Sequence, residues 1–429
     1  MKTIKVILIG AGNRGEVYTD LMKKLPEKYQ VVAVADPEIT RREHFKTLHG
    51  MAEENCCKHY DELLSREKFA DLVIISTQDK LHYDPAMKAI EKGYDILLEK
   101  PIAPTPKECL DIKNAAEAKG VRVIVCTVLR YTPLYGTVKQ LILDGKLGDI
   151  VSITHEECVG NVHQSHSFVR GNWGNEERSA CMLLAKSCHD LDLLPWLIGK
   201  KCKKIQSFGA LSHFHAKNAP ADAPERCIEG CPHKDCFYNA EQLYLHTEDP
   251  AERKWFRTTS TLKQDPTDEE VEAAQWNTQY GKCVYKCDND VVDHQTLNML
   301  FEDDITATFS MNAFNRGGRF TNIYGTKGEI RISLSGGSVE QPAINFFDFA
   351  TREWSQIEAG SGSNELTGGH GGGDAGIVNC LYDYLTGQGK TEAIPTIGES
   401  CHNHILVFAA EQARHTGTIV DVDAFIESL

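Results

Sequence analysis

The chain has 429 residues, 41% of them apolar, and a formal net charge of -15 at pH 7. This length exceeds the usual size of a single core and predicts at least two domains. The negative charge excludes nucleic acid and anionic membrane surfaces as main partners, because no basic surface would attract phosphates. The sequence shows no signal-peptide pattern and no apolar run long enough to span a bilayer. We therefore expect a cytoplasmic protein.

The first 15 residues contain a strand-like apolar run that leads directly into a glycine-rich loop, Gly10-Ala11-Gly12-Asn13-Arg14-Gly15. This is the dinucleotide-binding pattern in its required place between a strand and a helix. Gly10 permits the tight turn, Gly12 lets the backbone approach a pyrophosphate, and Gly15 lets the helix pack closely on the strand. The helix N-terminus adds partial positive charge. We predict that Asn13 and Arg14 join these glycines in binding the cofactor.

A carboxylate ends the second predicted strand, at Asp36, about 20 residues beyond the last glycine. A carboxylate at this position can accept hydrogen bonds from both hydroxyls of the adenosine ribose, and it would repel a 2'-phosphate. NAD is therefore the expected cofactor, while Arg41 and Arg42 keep NADP as an alternative.

The hydrophobic pattern divides the chain into two parts. Strand-like runs alternate with helical segments over residues 1–127, which predicts an α/β Rossmann domain with a doubly wound parallel sheet. Residues 128–429 contain strands of alternating polarity, which favours an α+β domain with a large, mostly antiparallel open sheet. Residues 212–287 are polar, cysteine-bearing and weakly periodic, and we interpret them as an insertion. The last helices are predicted over 375–385 and 402–414.

Polar residues follow the third and fourth strands of the first domain. The fourth ends in Glu99-Lys100-Pro101, and ligands bind beyond the carboxyl ends of parallel strands. The Lys100 ammonium could stabilise an alkoxide as hydride leaves, although a surface lysine paired with Glu99 is the alternative. Further candidates for the nicotinamide end of the cofactor are Thr77, Gln78, His82 and Glu99.

A second polar group interrupts an apolar segment further along the chain. Lys186, His189 and Asp192 are spaced at i, i+3 and i+6, so an unbroken helix would place them near one face. A neutral imidazole can accept a hydroxyl proton and a carboxylate can fix its tautomer. We predict that these three residues act with Lys100 in catalysis, against the alternative of a capping histidine with solvated neighbours.

Together the glycine loop, Asp36, Glu99-Lys100-Pro101 and the segment His189-Asp190-Leu191-Asp192 resemble the Gfo/Idh/MocA family of glucose-fructose oxidoreductases and inositol dehydrogenases. The resemblance covers most of the chain outside the insertion. It implies a Rossmann domain, a C-terminal α/β domain and a sugar or cyclitol bound between them, with Lys100 and His189 around the reacting hydroxyl. It also implies a homo-oligomer, a dimer or tetramer formed through the open sheet.

The chain departs from this family at one position near the histidine. Many members carry an aspartate four residues before it, where this chain has Ala185. The usual pairing of aspartate with histidine is therefore not assured, and Lys186 adds a charge that the family normally lacks.

Polar and aromatic residues elsewhere suit the recognition of a sugar, because an indole can stack on a sugar ring and Arg or His can donate to hydroxyls. An ordered surface loop is the alternative for the segment 163–173. Asp374 is interpreted as a helix N-cap. The candidate substrate-binding residues are Arg130, His163, His166, Arg170, Trp173, His294 and His370.

Fifteen cysteines form an odd and large set, which in a reducing compartment indicates thiols or metal ligands rather than a disulfide framework. Cys227, Cys231, Cys236 and Cys283 have short spacings from two segments, which suits the four ligands of a structural zinc ion. Free thiols are the other interpretation, since the usual two-residue gaps are absent.

Three functions fit these observations. The first is an NAD-dependent dehydrogenase acting on a hydroxyl of a sugar, glycoside or cyclitol. The second, a variation within the resembled family, is a redox-assisted glycosidase that oxidises, eliminates, hydrates and re-reduces with retained NAD. The third is a dinucleotide-binding regulator that has lost catalysis, against which Lys100 and His189 argue.

Overall fold

The computed structural model describes residues 2–263, 265–335, 343–359, 370–388 and 394–429. These residues contain a six-stranded sheet followed by a nine-stranded sheet, both flanked by helices. The predicted fold class, a Rossmann sheet joined to a largely antiparallel sheet, is confirmed. Across these ranges no helix has the length and apolar character needed to cross a membrane.

The first sheet is parallel throughout, with the strand order β3-β2-β1-β4-β5-β6. Helices cover both faces, so strands such as the fourth are apolar and buried at every position. The strands are β1 (Ile4–Ile9), β2 (Tyr29–Ala35), β3 (Cys56–Cys57), β4 (Leu72–Ile75), β5 (Asp95–Leu98) and β6 (Val123–Val125). The helices are α1 (Asn13–Lys23), α2 (Ile39–His49), α3 (Asp61–Leu64), α4 (Tyr83–Glu91) and α5 (Pro106–Lys119).

The second sheet is mixed, with the order β14-β13-β12-β11-β7-β10-β9-β8-β15. Only the β7–β10 pair is parallel among its described strands. Alternate residues of a strand face opposite ways: in β9, Leu297 and Met299 are buried while Thr296 and Asn298 are exposed. The strands are β7 (Ile150–Cys158), β8 (Cys202–Ala210), β9 (His294–Phe301), β10 (Thr306–Asn312), β11 (Gly318–Gly325), β12 (Gly328–Ser335), β13 (Ala343–Asp348), β14 (Glu353–Ile357) and β15 (Val420–Asp421).

Helices of the second part cover one side of this sheet and also reach back to the first. The helices are α6 (Pro133–Leu143), α7 (Asn161–Ser165), α8 (Cys188–Ile198), α9 (Ala240–Leu245), α10 (Pro250–Thr261), α11 (Asp268–Asn277), α12 (Gly373–Thr386), α13 (Ile397–Thr416) and α14 (Val422–Glu427). A π-helical turn, Leu183–Ser187, precedes α8. Ile397, Cys401 and Ile405 of α13 join the core of the first sheet, so residues near the C-terminus lie beside the cofactor domain.

The insertion is an ordered subdomain rather than the aperiodic segment that its sequence suggests. It contains α9, α10 and α11 and a small core that includes Tyr244, Phe256 and Val271. Its helices are short, and α11 has few apolar residues, which is why periodicity is weak. The last two long helices are also longer than predicted: α13 begins at Ile397, where Thr396 and Glu399 form a capping box.

Candidate active site

The glycine loop after β1 has the close contacts that a dinucleotide turn requires. Gly10 has a φ of 88°, and a Cβ there would lie 2.7 Å from the Ser76 backbone. A Cβ on Gly15 would lie 2.4 Å from the Gly10 carbonyl oxygen, whereas one on Gly12 would meet only an arginine nitrogen, at 3.9 Å. Helix α1 begins after Gly12 without a side-chain cap. Its first N–H groups and the open side of Gly12 therefore fit a bound pyrophosphate.

Asp36 lies at the end of β2, where an adenosine ribose would bind. Its carboxylate is 4% exposed and accepts hydrogen bonds from the backbone N–H groups of Ala11 (2.8 Å) and Glu38 (2.9 Å). The Arg41 guanidinium lies 3.8 Å away. The two backbone donors fix the carboxylate against the glycine loop, and each oxygen retains a lone pair for a ribose hydroxyl.

His82 connects the ends of two strands. Its Nδ1 lies 2.7 Å from the Pro101 carbonyl oxygen and its Nε2 lies 3.1 Å from that of Thr77. The imidazole is completely buried. We find His82 holding the turns after β4 and β5 together, which places the exposed Gln78 and the Lys100 turn along one crevice.

Lys100 reaches from the end of β5 to the second domain. Its Nζ donates a 2.6 Å hydrogen bond to the carbonyl oxygen of Ala185 and lies 5.6 Å from the centre of the Trp173 ring. The Trp173 indole donates to Asp79, which also accepts from Ser179. The backbone carbonyl of Ala185, where the resemblance led us to expect an aspartate, therefore accepts from the lysine. The structure thus brings Lys100 and Trp173 together beside Ala185, which precedes His189 by four residues.

His189, the second residue of α8, is a neutral imidazole in a buried polar setting. Burial, and then the nearby charge of Lys100, hold the pKa of His189 well below its ordinary range. Its Nδ1 is buried and has no hydrogen-bond partner among the described residues. The ring of His370 lies 5.6 Å away, centre to centre. At neutral pH His189 is therefore able to accept a proton from a hydroxyl.

Lys186, His189 and Asp192 do not share one unbroken α-helix, and the catalytic roles predicted for Lys186 and Asp192 stay predictions. Lys186 lies in a π-helical turn, whereas His189 and Asp192 lie three residues apart in α8. The π-helical turn that contains Lys186 changes the helical phase before α8 begins. Lys186 lies 3.2 Å from Glu157 of β7. Asp192 is completely buried, and it accepts hydrogen bonds from Arg130 (2.6 Å) and Asn403 (3.0 Å).

The neighbouring Asp190 is paired in the same way. It accepts hydrogen bonds from His155 Nε2 (2.9 Å) and Arg319 Nε (2.7 Å). Despite the opposing effect of burial, Arg319 and then His155 lower the pKa of Asp190. We call the two aspartates and their three charged or ring partners, Asp190, Asp192, Arg130, His155 and Arg319, the α8 charge network. It fixes the helix that carries His189.

Arg14 makes contacts that its place in the glycine loop did not indicate. It donates to Glu99 (2.7 Å) and, through two nitrogens, to Asp374 (2.7 and 3.1 Å). The prediction that Asp374 caps its helix is wrong, because α12 begins after Gly372 without a side-chain cap. Asp374 accepts instead from Arg14 and lies 3.2 Å from His370 Nδ1.

The remaining predicted substrate residues divide into two groups. His163 packs against the Phe168 ring, with centres 5.6 Å apart, and burial, followed by Lys186, His166 and Lys100, holds its pKa well below its ordinary range. His166 bonds to Tyr244 (2.8 Å) and Arg170 donates to the carbonyls of Lys282 and Tyr238, so both join the second domain to the insertion. Arg130 belongs to the α8 charge network, and His294 pairs with Asp293 at the start of β9.

Sequence reasoning missed the contribution of the insertion to this region. Trp255 of α10 packs edge-on against His163, with ring centres 5.1 Å apart. No local pattern links Trp255 to the histidine, since the contact depends on how the insertion docks. The Arg14–Asp374 pair was also missed, and its one sequence signal is an acidic residue directly after the run 371–373 of glycines.

The cysteines predicted as zinc ligands line one cavity but do not form a metal centre. Cys227, Cys231, Cys236 and Cys283 border a space of about 250 Å³. Burial raises the pKa of Cys236 and Cys283, which favours their neutral thiols. Within the described ranges no three His, Cys, Asp or Glu side chains are grouped so that they could hold a metal ion. The zinc prediction is therefore not supported.

The fold and this site define a dinucleotide-dependent oxidoreductase. Two family models match: the NAD-binding Rossmann domain of the GFO_IDH_MocA oxidoreductase family over residues 4–127 and its C-terminal alpha/beta domain over residues 139–420. The chain belongs to this family, and the resemblance stated from its motifs is confirmed.

Curated relatives are similar over different shares of their length. YteT of Bacillus subtilis is 25% identical over 84% of both chains. A 2,7-anhydro-N-acetylneuraminate hydratase of Mediterraneibacter gnavus is 28% identical over 49% of this chain and 53% of its own. Inositol 2-dehydrogenase 4 of Saccharopolyspora erythraea is 28% identical over 53% of this chain and 64% of its own.

A solved structure shows that the fold extends over the whole chain. It is a levoglucosan dehydrogenase in complex with NADH and L-sorbose, superposed with a TM-score of 0.70. The match covers 98% of this chain and 99% of that one at 16% identity, so it supports the fold alone.

Proposed function

We propose that the protein is an NAD-dependent dehydrogenase that oxidises a hydroxyl group of a sugar, glycoside or cyclitol. The observation that carries this proposal is the buried His189, whose Nδ1 has no partner among the described residues and which follows by four residues the Ala185 whose carbonyl accepts from Lys100. An imidazole that can accept a proton and an ammonium that can stabilise an alkoxide are the groups that this oxidation requires.

The surroundings of His189 and Lys100 support a separate role for each. The substrate hydroxyl gives its proton to His189, and Lys100 donates a hydrogen bond to the oxygen as it gains negative charge. Bound NAD would supply the hydride acceptor. Trp173, which lies over Lys100, offers an apolar face to a sugar ring and limits the access of water. His163 adds a polar group on the side of the insertion.

NAD rather than NADP is the proposed cofactor because Asp36 is fixed and negative at the ribose end. Its two backbone hydrogen bonds prevent it from turning away from a 2'-phosphate. Arg41 would need to leave its position near Asp36 to neutralise such a phosphate. The ratio of kcat/KM values for NAD and NADP measures this choice directly.

The open face of the second sheet supports a further part of the proposal, a homo-oligomer. Phe208 and Trp354 are 57% and 48% exposed on this sheet, and exposed aromatic residues on a sheet suit contact with a second copy. Light scattering of the purified protein distinguishes a dimer or tetramer from a monomer.

The test of the catalytic proposal is incubation of the purified protein with NAD and a panel of sugars, cyclitols and glycosides. We expect NADH to form in amounts equal to the oxidised product. Lys100→Met should remove turnover while the Kd for NAD stays close to that of the wild type. Lys58→Met, which changes an exposed lysine on the same domain, serves as the matched control. NAD binding without turnover of any panel member would contradict the proposal.

A redox-assisted hydratase or glycosidase is the second candidate. Two observations favour it: the second histidine, His370, beside His189, and the hydratase among the curated relatives. Such a reaction needs more than one acid or base, because a proton next to the new carbonyl must also be removed. Product release from an anhydro sugar or glycoside without net NADH would favour this candidate over the first.

A further inference from the structure

Arg14 occupies the glycine loop, but its side chain is directed at two carboxylates rather than at solvent. Its guanidinium bonds to Glu99 after β5 and to Asp374 in the first turn of α12, 360 residues away in sequence. The side chains of Glu99 and Asp374 are 6% and 1% exposed. Tyr18 completes the cluster by donating to Glu99 (2.7 Å).

The charges of this cluster depend on one another. Burial opposes ionisation of Glu99, yet Arg14 and then Lys100 lower its pKa. Burial likewise opposes ionisation of Asp374, and hydrogen bonds from His370 and Arg14 lower its pKa. Arg14 therefore favours the ionised form of both buried carboxylates, together with Lys100 at Glu99 and His370 at Asp374. A lysine could not replace Arg14, because only the planar fork of arginine bonds to both oxygens of Asp374 and to Glu99 at once.

Each carboxylate holds a residue that faces the substrate region. Glu99 accepts a 2.9 Å hydrogen bond from the backbone N–H of Lys100. Asp374 lies 3.2 Å from His370 Nδ1, and the His370 ring lies 5.6 Å from that of His189. A carboxylate facing Nδ1 keeps the proton of a neutral imidazole on that nitrogen and leaves Nε2 as an acceptor. Arg14 thus joins the cofactor loop to Lys100 through Glu99 and to His370 through Asp374.

We propose that Arg14 and Asp374 are positioning residues that hold His370 as a second proton-transfer group opposite His189. This inference rests on the oxidoreductase function proposed above and adds to it a role for three residues. During oxidation His370 accepts at Nε2 the proton that His189 has taken from the substrate hydroxyl and releases it to solvent, since its side chain is 37% exposed; in the reverse direction it returns the proton to His189. Its Nδ1 proton stays on the hydrogen bond to Asp374. The same contacts make the position of His370 dependent on the loop that binds the dinucleotide.

The first test is a double-mutant cycle with Asp374→Asn and His370→Ala on the best substrate of the panel. His370→Ala should lower kcat by about 100-fold or more, with little change in KM or in the Kd for NAD. Asp374→Asn and Arg14→Lys should lower kcat by about 10- to 100-fold, because the imidazole loses its orientation. In the His370→Ala background, Asp374→Asn should add no further loss.

Three outcomes would overturn the inference. Additive losses in the double variant would show that Asp374 acts apart from His370. An effect of His370→Ala on KM alone would assign it to binding rather than proton transfer. A kcat for Arg14→Lys equal to that of the wild type would remove arginine from the positioning role.

A second measurement does not depend on turnover. Nitrogen chemical shifts of the His370 ring, in protein labelled with 15N-histidine and assigned with His370→Gln, report which nitrogen carries the proton. We expect a protonated Nδ1 in the wild type and a mixture of tautomers in Asp374→Asn and Arg14→Lys. If no sugar or cyclitol is oxidised, the proposed function fails while this spectrum still tests the contact. An unchanged spectrum in both variants would overturn the positioning role itself.

Discussion

Neighbouring residues on α8 differ in whether their buried polar atoms have hydrogen-bond partners. Asp190 and Asp192 each accept hydrogen bonds from two side chains and are completely buried. His189, directly before them, has a buried Nδ1 without a partner in the described part of the chain. Leaving a buried polar atom unpaired costs about 1–3 kcal/mol. The hydrogen-bonded aspartates fix the helix, whereas the imidazole nitrogen is available for a ligand.

The largest loss of turnover should come from substitution of His189. His189→Ala removes the proposed proton acceptor, and kcat should fall by about 10³-fold, within the range for loss of a general base. The free energy of unfolding should fall less than in Asp190→Ala, because the buried Nδ1 has no hydrogen-bond partner among the described residues to lose. Kinetics on the best panel substrate and urea unfolding measure the two effects. A stability loss as large as that expected for Asp190 would show that the two residues do not differ as the contacts suggest.

In Asp190→Ala the loss of unfolding free energy should be larger, and the loss of turnover smaller, than in His189→Ala. Asp190→Ala leaves the buried Arg319 and His155 without their carboxylate, and breaking a buried pair of this kind costs about 3–5 kcal/mol of unfolding free energy. Activity per folded molecule should fall less than in His189→Ala, since Asp190 bonds to Arg319 and His155 rather than to substrate. Lys200→Met, which breaks the exposed pair with Asp303, is the control and should cost about 0–1 kcal/mol.

The sequence predicts the cofactor half of this site better than the substrate half. The glycine turn and Lys100 can be recognised locally, because each directly follows a strand in the sequence. The parallel sheet then places all such loops at one edge. The partners of Asp190 and Asp192 come from other strands and helices, so spacing along α8 cannot reveal them. The π-helical turn Leu183–Ser187 also shifts the helical phase, and it has no pattern that we could recognise. The cysteine spacing predicted a metal centre, whereas in the structure these cysteines line one cavity without forming such a centre among the described residues.

Buried neutral histidines make stability depend on pH with a definite sign. Burial lowers the pKa of His166 to about 3 and that of His404 to about 4, and it holds the pKa of His189 well below its usual range. Below an unfolded pKa of about 6.5 the unfolded chain binds protons that the folded chain does not, so unfolding becomes easier as pH falls. Each such histidine contributes a slope of about 1.4 kcal/mol per pH unit.

Substituting one of these buried histidines should remove its contribution to the pH dependence of the unfolding free energy. His189→Gln and His404→Gln should each flatten the dependence of unfolding free energy on pH between pH 6 and pH 5, a window below about 6.5. Among the described residues His404 hydrogen-bonds to the Ser400 carbonyl, so His404→Gln should keep its turnover, and it is the matched control for His189→Gln. Equal slopes in all three proteins would show that these imidazoles are protonated in the folded state.

The smallest effect on turnover is expected from Lys186. Its substitution tests whether this lysine belongs with the α8 charge network or with His189. Its Nζ pairs with Glu157 at 3.2 Å, and Glu157 also pairs with Arg319 of the α8 charge network. Lys186→Met keeps the apolar stem and leaves the buried Glu157 with one cation, Arg319, so the loss of unfolding free energy should be smaller than in Asp190→Ala. Turnover should stay close to that of the wild type, because the ammonium pairs with Glu157. A loss of turnover comparable with that of His189→Ala would instead place Lys186 in the reaction centre, as its spacing in the sequence predicted.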